Sequence, residues 1–267
     1  MDLGLRNRTA LVTGASSGLG YAVAESLLEE GCRVAICSRD VDRIEAAASS
    51  LSHLGEVIPF ACDVTDEEQI ASTVEAAAGH FDGRINVLVT NAGGPPSGFI
   101  ADFSADDWRR GIELNLMSTI NLCRHSLPFV RAAAGDPDRH ARILMITSIS
   151  AKQPIPNLYI SNTARAGVQG FCKSLAEELG PESITVNTVL PGYTETDRLV
   201  DLAVATSKRT GESIEDIYAG WSEMTAVKRL GQPAEFASAV VYLASRQAAY
   251  ITGIAFPVDG GRVKSLM

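Results

Sequence analysis

Side chains that could bind a carbonyl group or take part in proton transfer are concentrated between Ser148 and Arg165. Ser161 follows Ser148 by thirteen residues and precedes Arg165 by four. A serine hydroxyl forms hydrogen bonds, but it is far less acidic than a phenol, whose pKa is about 10. An arginine stays charged at every relevant pH and does not release a proton readily. These residues therefore offer hydrogen bonds and a fixed positive charge, without a positioned phenol.

Tyr159 is the phenol nearest to these residues in sequence. It lies two residues before Ser161, which is about 200° around the axis of a helix. We therefore expect its side chain to point elsewhere, unless the preceding Pro154-Ile155-Pro156 segment distorts the start of the helix.

A glycine-rich turn near the start of the chain has the form TGxxxGxG, from Thr13 to Gly20. It follows a strand pattern and opens a helix pattern. Gly14 permits a sharp turn, Gly18 lets the backbone approach a pyrophosphate, and Gly20 lets the helix pack closely on the strand. The helix N-terminus offers free N–H groups to phosphates. The turn therefore predicts a dinucleotide site that also includes Ser16, Ser17 and Leu19.

The end of the second predicted strand discriminates between NAD and NADP. An acidic residue there would accept hydrogen bonds from the adenosine ribose and repel a 2′-phosphate. The chain instead has Ser38 and Arg39, which can donate to that phosphate and pair with it. These residues predict a preference for NADP(H), with NAD(H) as the weaker alternative.

Short apolar runs alternate with amphipathic segments along the whole chain, which predicts a parallel sheet with helices on both faces. The predicted strands are Ala10–Thr13, Arg33–Ser38, Val57–Cys62, Ile85–Thr90, Ile143–Thr147, Ile184–Leu190 and Ile254–Val258. The predicted helices are Leu19–Glu30, Arg43–Leu51, Glu67–Ala78, Ala105–Ala134, Tyr159–Leu179 and Ala234–Ala244.

These motifs together make the chain resemble the short-chain dehydrogenase/reductase family, in particular its 3-oxoacyl-acyl-carrier-protein reductases. The resemblance covers residues 5–261 and implies a single-domain, doubly wound α/β fold of Rossmann type with about seven strands over 1–267. It also implies further cofactor contacts at the ends of the third, fourth and sixth strands. These residues are Asp63, Val64, Asn91, Ala92, Gly93, Pro191, Gly192 and Thr194.

The same resemblance implies an active site of Asn, Ser, Tyr and Lys. Asn115 and Ser148 match the first two, whereas Ser161 occupies the Tyr position and Arg165 the Lys position. We therefore assign Asn115, Ser148, Ser161 and Arg165 to an altered catalytic set, with Arg165 also contacting the nicotinamide ribose. Three replacements for the missing proton donor stay open: Tyr159, Tyr193, or a water held by Ser148, Ser161 and Arg165.

Composition excludes several other classes of function. The net charge of −9 argues against nucleic-acid binding and against an anionic membrane surface. The five cysteines lack metal-ligand spacing, so we expect buried, reduced thiols and no metal site. With no leader or apolar span of about 18 residues, we expect a soluble, cytoplasmic protein.

Two functions from different classes fit the sequence. The first is an NADP(H)-dependent oxidoreductase acting on a carbonyl or secondary alcohol, with 3-oxoacyl compounds as one candidate class. The second is a non-catalytic NADP(H) sensor or regulatory subunit. The resemblance further implies a homo-oligomer, either a tetramer or a dimer. It also implies a substrate lid over Thr196–Lys228, although this segment also fits a plain surface helix pair.

Overall fold

The computed structural model describes residues 1–135 and 140–266. Its sheet has seven parallel strands in the order β3-β2-β1-β4-β5-β6-β7. The prediction of a doubly wound α/β sheet is confirmed. The strands are β1 (Thr9–Thr13), β2 (Arg33–Ser38), β3 (Val57–Ala61), β4 (Val87–Thr90), β5 (Ala141–Ile146), β6 (Ile184–Pro191) and β7 (Ala255–Val258).

Helices cover both faces of the sheet because each presents one apolar side to it. One buried cluster contains Val23 of the first helix and Phe236 of the last. The other contains Ile70, Val130 and Val168 from three helices on the opposite face. The helices are α1 (Gly18–Glu29), α2 (Val41–Leu51), α3 (Glu67–His80), α4 (Ala105–Ile112), α5 (Ser118–Ala134), α6 (Tyr159–Leu179), α7 (Asp197–Thr210), α8 (Ile214–Glu223) and α9 (Pro233–Ala244).

The strand order reverses between β1 and β4, which lie side by side although two strands separate them in sequence. In open parallel sheets the loops diverge at this point and leave a crevice at the carboxyl ends of the strands. The glycine-rich turn after β1 and Asn91 after β4 therefore face one another. The Asn91 Nδ2 donates to the Gly14 carbonyl oxygen at 3.0 Å.

The single helix predicted over Ala105–Ala134 is wrong in one respect. A five-residue π-helical segment, Glu113–Met117, separates α4 from α5. The Ser118 N–H bonds to the Glu113 carbonyl oxygen, five residues back, and the Ser118 hydroxyl bonds to the Leu114 carbonyl oxygen at 2.5 Å. Such segments occur frequently at functional sites, and this one carries Asn115.

Residues 196–228 form α7 and α8 with their own small apolar cluster. Leu199, Ile217 and Trp221 are buried there, apart from the two clusters that pack on the sheet. The segment therefore holds itself together largely through its own contacts.

The remaining general features are simple. All five cysteines are buried and free, as predicted. Within the described ranges, no helix combines the length and apolar character needed to cross a membrane.

Candidate active site

A cavity of about 410 Å³ lies at the carboxyl ends of the strands and brings most of the predicted residues together. Its walls come from the loops after β1, β2, β4, β5 and β6 and from the start of α6. The predicted residues that line it are Gly14, Ser16, Ser17, Gly18, Leu19, Ser38, Arg39, Val64, Asn91, Ala92, Gly93, Ser148, Ser161, Arg165, Pro191, Gly192 and Thr194.

The glycine-rich turn has the geometry of a phosphate cradle. Gly14 and Gly18 have φ angles of 59° and 60°, which favour glycine. A Cβ on Gly20 would lie 2.3 Å from the Gly14 carbonyl oxygen, so only glycine lets α1 pack against the turn. Gly20 itself does not line the cavity, and its place is in this packing. The free N–H groups of α1 point to a site for an anionic diphosphate.

Two arginines lie at the end of the cavity next to β2. Arg39 was predicted there, and Arg43 on the first turn of α2 joins it. The Arg43 guanidinium donates to the Ser17 hydroxyl at 3.3 Å, which links α2 to the glycine-rich turn. The pair suits the 2′-phosphate of NADP. Sequence reasoning missed Arg43, because its relation to Ser17 is a contact between residues 26 positions apart.

Asp63 is placed differently from the prediction. Its carboxylate accepts hydrogen bonds from the Thr65 N–H at 2.9 Å and the Thr65 hydroxyl at 2.8 Å, and the residue does not line the cavity. Its neighbour Val64 does line it. The Asp63 carboxylate shapes the loop after β3, where an acidic residue commonly caps a turn.

The loop after β6 closes the opposite wall of the cavity. A Cβ on Gly192 would lie 2.7 Å from the Asp259 Cα, so this loop packs directly on the backbone that follows β7. The Gly192 N–H bonds to the Val258 carbonyl oxygen at 3.0 Å, and Thr194 forms a bridge with Gly231. These contacts hold the loop at a fixed height above the cavity.

Ser148 and Ser161 lie at the end of the cavity next to β5 and α6. The Ser148 hydroxyl accepts from the Ser150 N–H at 3.1 Å and keeps its own proton free to donate. Ser161 is 7% exposed and lines the same wall. Two hydroxyls on one wall can bind the oxygen of a carbonyl or an alcohol.

Arg165 lies one helical turn after Ser161 and carries its charge into the cavity wall. It is 7% exposed, and its Nη1 donates to the Ile146 carbonyl oxygen at 3.0 Å. Its Nε has no hydrogen-bond partner among the described residues. Burial, and then the charge of Arg198, lower the pKa of Arg165 to about 10, so it stays protonated at neutral pH.

Asn115 does not line the cavity, which differs from the simplest interpretation of its role. It is 1% exposed in the π-helical segment, and neither amide atom has a hydrogen-bond partner in the described part of the chain. A buried amide without partners is uncommon and costly. The position suits an ordered water or a contact made through Arg165, behind the first layer of lining residues.

The two tyrosines differ in their relation to the cavity. Tyr159 is the first residue of α6, is 41% exposed and does not line the cavity, as the helical angle predicted. Tyr193 does line it, but its ring stacks on Trp221 with centroids 4.9 Å apart. Burial raises the pKa of Tyr193, which makes its phenol a weaker acid.

Two further residues shape the catalytic end and were missed. Asn162 accepts from the Ile155 N–H at 3.2 Å and donates to the Ile155 carbonyl oxygen at 3.0 Å, which fixes a cavity-lining loop. Arg198, on the first turn of α7, lines the cavity and donates to the Pro95 carbonyl oxygen at 2.7 Å. Both depend on loop contacts, and only the Asn162 pair, seven residues apart, could have been found from local sequence.

Comparison with known proteins agrees with this architecture. A family model described as enoyl-(acyl carrier protein) reductase matches residues 14–262. A short-chain type dehydrogenase/reductase of Sinorhizobium fredii is 34% identical over 96% of this chain and 98% of its own. The 3-oxoacyl-[acyl-carrier-protein] reductase of Vibrio cholerae is 35% identical over 97% of this chain and 98% of its own.

A solved structure extends the comparison to three dimensions. The L-sorbose reductase of Gluconobacter frateurii, complexed with NADPH and L-sorbose, superposes with a TM-score of 0.92. It is 33% identical, and the superposition covers 100% of both chains. The chain therefore belongs to the short-chain dehydrogenase/reductase family.

Proposed function

We propose that this protein is an NADP(H)-dependent oxidoreductase that interconverts a carbonyl compound and a secondary alcohol. The observation that carries the proposal is the continuity of one cavity, with arginines for a 2′-phosphate at one end and Ser148, Ser161 and Arg165 at the other. The relatives named as reductases, and the neighbour solved with NADPH, support the same assignment.

The residues of the cavity suit an NADP(H) molecule along its whole length. The glycine-rich turn would take the pyrophosphate, Arg39 and Arg43 the 2′-phosphate, and the loop from Pro191 to Thr194 the nicotinamide. Arg165 would bind the nicotinamide ribose through the guanidinium edge that Ile146 leaves free. The bound cofactor would supply a hydride to the carbonyl carbon, while the carbonyl oxygen takes up a proton.

The origin of that proton distinguishes this chain from its resemblance. Ser161 is too weak an acid to act as the phenol does, Tyr159 lies outside the cavity, and Tyr193 is stacked on Trp221. We therefore favour a water held by Ser148, Ser161 and Arg165. Loss of a positioned general acid costs about 10²- to 10⁴-fold in rate, so slow turnover is expected.

The segment 196–228 is proposed as a substrate lid. Leu199 and Leu202 line the cavity from above, and the segment packs chiefly on its own small cluster. Elements with few contacts to the main core open at low free energy. The lid also carries Arg198, which spans from α7 to the loop after β4.

A second candidate function, a non-catalytic NADP(H) sensor, is favoured by the absence of a phenol at position 161. Ser148 argues against it, because a binding protein has no use for a hydroxyl beside the nicotinamide site. Turnover of NADPH with a panel of ketones and 3-oxoacyl thioesters, with Ser148→Ala as control, separates the two. Turnover that depends on Ser148 supports the reductase, and NADPH binding without any turnover supports the sensor.

A further inference from the structure

The catalytic end of the cavity carries an excess of positive charge. Arg165 and Arg198 both line this end, and Asp197 is the acidic residue closest to them in the lining. Neither arginine forms a salt bridge with a carboxylate of residues 1–135 or 140–266. Asp201 does raise the pKa of Arg198 through its charge, against the larger effect of burial.

We infer that these two arginines bind an anionic group of the substrate, and that the substrate is an oxo acid whose carboxylate lies between them. The inference rests on the proposed reductase function and names its substrate class. Planar guanidinium groups pair with carboxylates through two parallel hydrogen bonds, and they do so best where water is excluded.

Arg165 supplies the buried half of this site. It is 7% exposed, yet its only hydrogen bond within the described residues goes to the neutral Ile146 carbonyl oxygen. Its Nε is buried without any partner in the same part of the chain. A buried charge costs free energy unless it is paired, so the position is complete only with an anion or a strong acceptor in the cavity.

Arg198 supplies the half at the mouth of the cavity. Its guanidinium lies flat against Gly94, where a Cβ would sit 2.8 to 3.0 Å from Nη2, Nε and Cζ. It is anchored by one bond to the Pro95 carbonyl oxygen, which leaves its other N–H groups free to donate. Its charge is close enough to lower the pKa of Arg165. An anion between the two would relieve this repulsion.

Two anions could occupy such a site: a substrate carboxylate or the pyrophosphate of the cofactor. The pyrophosphate already has a cradle at Gly18 and the N-terminus of α1. Arg165 is tied to the end of β5 near Ser148, where the carbonyl would bind, and not to the glycine-rich turn. This placement favours the substrate carboxylate.

The test compares matched pairs of substrates with NADPH: 2-oxo acids and their methyl esters. The variants are Arg198→Ala and Arg209→Ala, the latter an exposed arginine at the other end of α7 that does not line the cavity. We expect the wild type and Arg209→Ala to favour the acid over the ester at least tenfold in kcat/KM. Arg198→Ala should reduce that ratio to about one, mainly through the KM of the acid, while the Kd of NADPH changes less than twofold.

Several outcomes would overturn the inference. Esters reduced as well as acids by the wild type would do so, as would an unchanged acid-to-ester ratio in Arg198→Ala. A tenfold rise in the Kd of NADPH in Arg198→Ala would assign this arginine to the pyrophosphate instead.

Complete lack of turnover would count against the proposed function, and the anion site would then be judged by binding alone. Calorimetric titration of oxamate, a non-reducible carboxylate, into the protein with NADP⁺ gives that reading. Saturable binding that is lost in Arg198→Ala sustains the site, and absence of binding by the wild type refutes it.

Discussion

The Arg165 guanidinium donates to the Ile146 carbonyl oxygen at 3.0 Å, which joins the middle of α6 to the carboxyl end of β5. Ile146 lies two residues before Ser148, so the bond sets the distance between the positive charge and the serine hydroxyls. One edge of the guanidinium is occupied by this bond, and the other faces the cavity. The altered catalytic set is therefore an ordered site, and each of its members can be tested by substitution.

NADPH should bind more tightly than NADH, and Arg39→Ala should remove most of the difference. Hydrogen bonds to charged groups contribute about 1.5–3 kcal/mol, so we expect the Kd of NADPH to rise about ten- to hundredfold. The Kd of NADH should change little. Fluorescence titration of both cofactors measures this, and equal affinities in the wild type would contradict the assignment of the 2′-phosphate site.

Arg43→Ala should also weaken NADPH selectively, because Arg43 reaches the Ser17 hydroxyl at the same end of the cavity. Arg84→Ala is not a suitable control, since that side chain has its own partners. Arg209→Ala is suitable, because it is exposed and distant in the fold. An Arg43 variant that binds NADPH as tightly as the Arg209 variant would remove Arg43 from the site.

Ser161→Tyr combined with Arg165→Lys should raise ketone reduction by about 10²- to 10⁴-fold, the typical contribution of a general acid. Either change alone should help little, since a phenol and the ammonium that lowers its pKa act as one unit. Steady-state rates with activated ketones and NADPH measure the effect for both singles and the double. A folded double variant that binds NADPH but is no faster than the wild type would show that the pocket serves a different purpose. If Tyr159→Phe alone abolishes turnover, the proton donor lies outside the cavity described above.

Gly20→Ala should destabilise the fold, because the new Cβ would sit 2.3 Å from the Gly14 carbonyl oxygen. Overpacking of this kind costs about 1–3 kcal/mol. Gly170→Ala is the matched control, since that helical glycine has nothing within 4 Å of an added Cβ. It should leave stability unchanged or raise it by about 0.5–1 kcal/mol. Urea unfolding measures both, and a Gly20 variant as stable as the Gly170 variant would refute the packing argument.

Stability should fall below neutral pH through His140. Burial, and then the charges of Arg142, Arg8 and Arg246, lower the pKa of His140 to about 4 against an offsetting bond to the Ala244 carbonyl oxygen. The unfolded chain binds a proton near pH 6.5 and the folded chain does not, so stability is lost as the pH falls from about 6.5 toward 4. We expect a loss of about 2 kcal/mol between pH 7.5 and pH 5 from this group. Urea unfolding of the wild type and of His140→Gln at both values isolates it, and parallel losses in the two proteins would exclude His140 as the cause.

Local sequence was sufficient for most of the framework. The strand over Arg33–Ser38 and the helix over Tyr159–Leu179 have the predicted bounds, because apolar periodicity and the flanking glycine and proline residues define them locally. The angle that separates Tyr159 from Ser161 also follows from helix geometry alone.

The rest depends on contacts between distant segments. Arg43 reaches Ser17, and Arg198 reaches Pro95 across 103 residues of sequence. The π-helical segment around Asn115 is a change in backbone hydrogen bonding that side-chain periodicity does not reveal. The burial of Asn115 behind the cavity wall follows from that segment.

The central claim is that the cavity reduces a carbonyl group with a hydride from NADPH although position 161 lacks a phenol. The most direct measurement is transfer of deuterium from NADPH labelled at the reactive C4 position to a panel of ketones and oxo acids, followed by mass spectrometry of the alcohols formed. We predict slow incorporation of one deuterium at the carbinol carbon by the wild type and at least tenfold less by Ser148→Ala. Tight NADPH binding with no deuterium in any product, over a time in which the Ser161→Tyr, Arg165→Lys double variant labels the same ketones, would contradict the claim and identify a cofactor-binding protein without reductase activity.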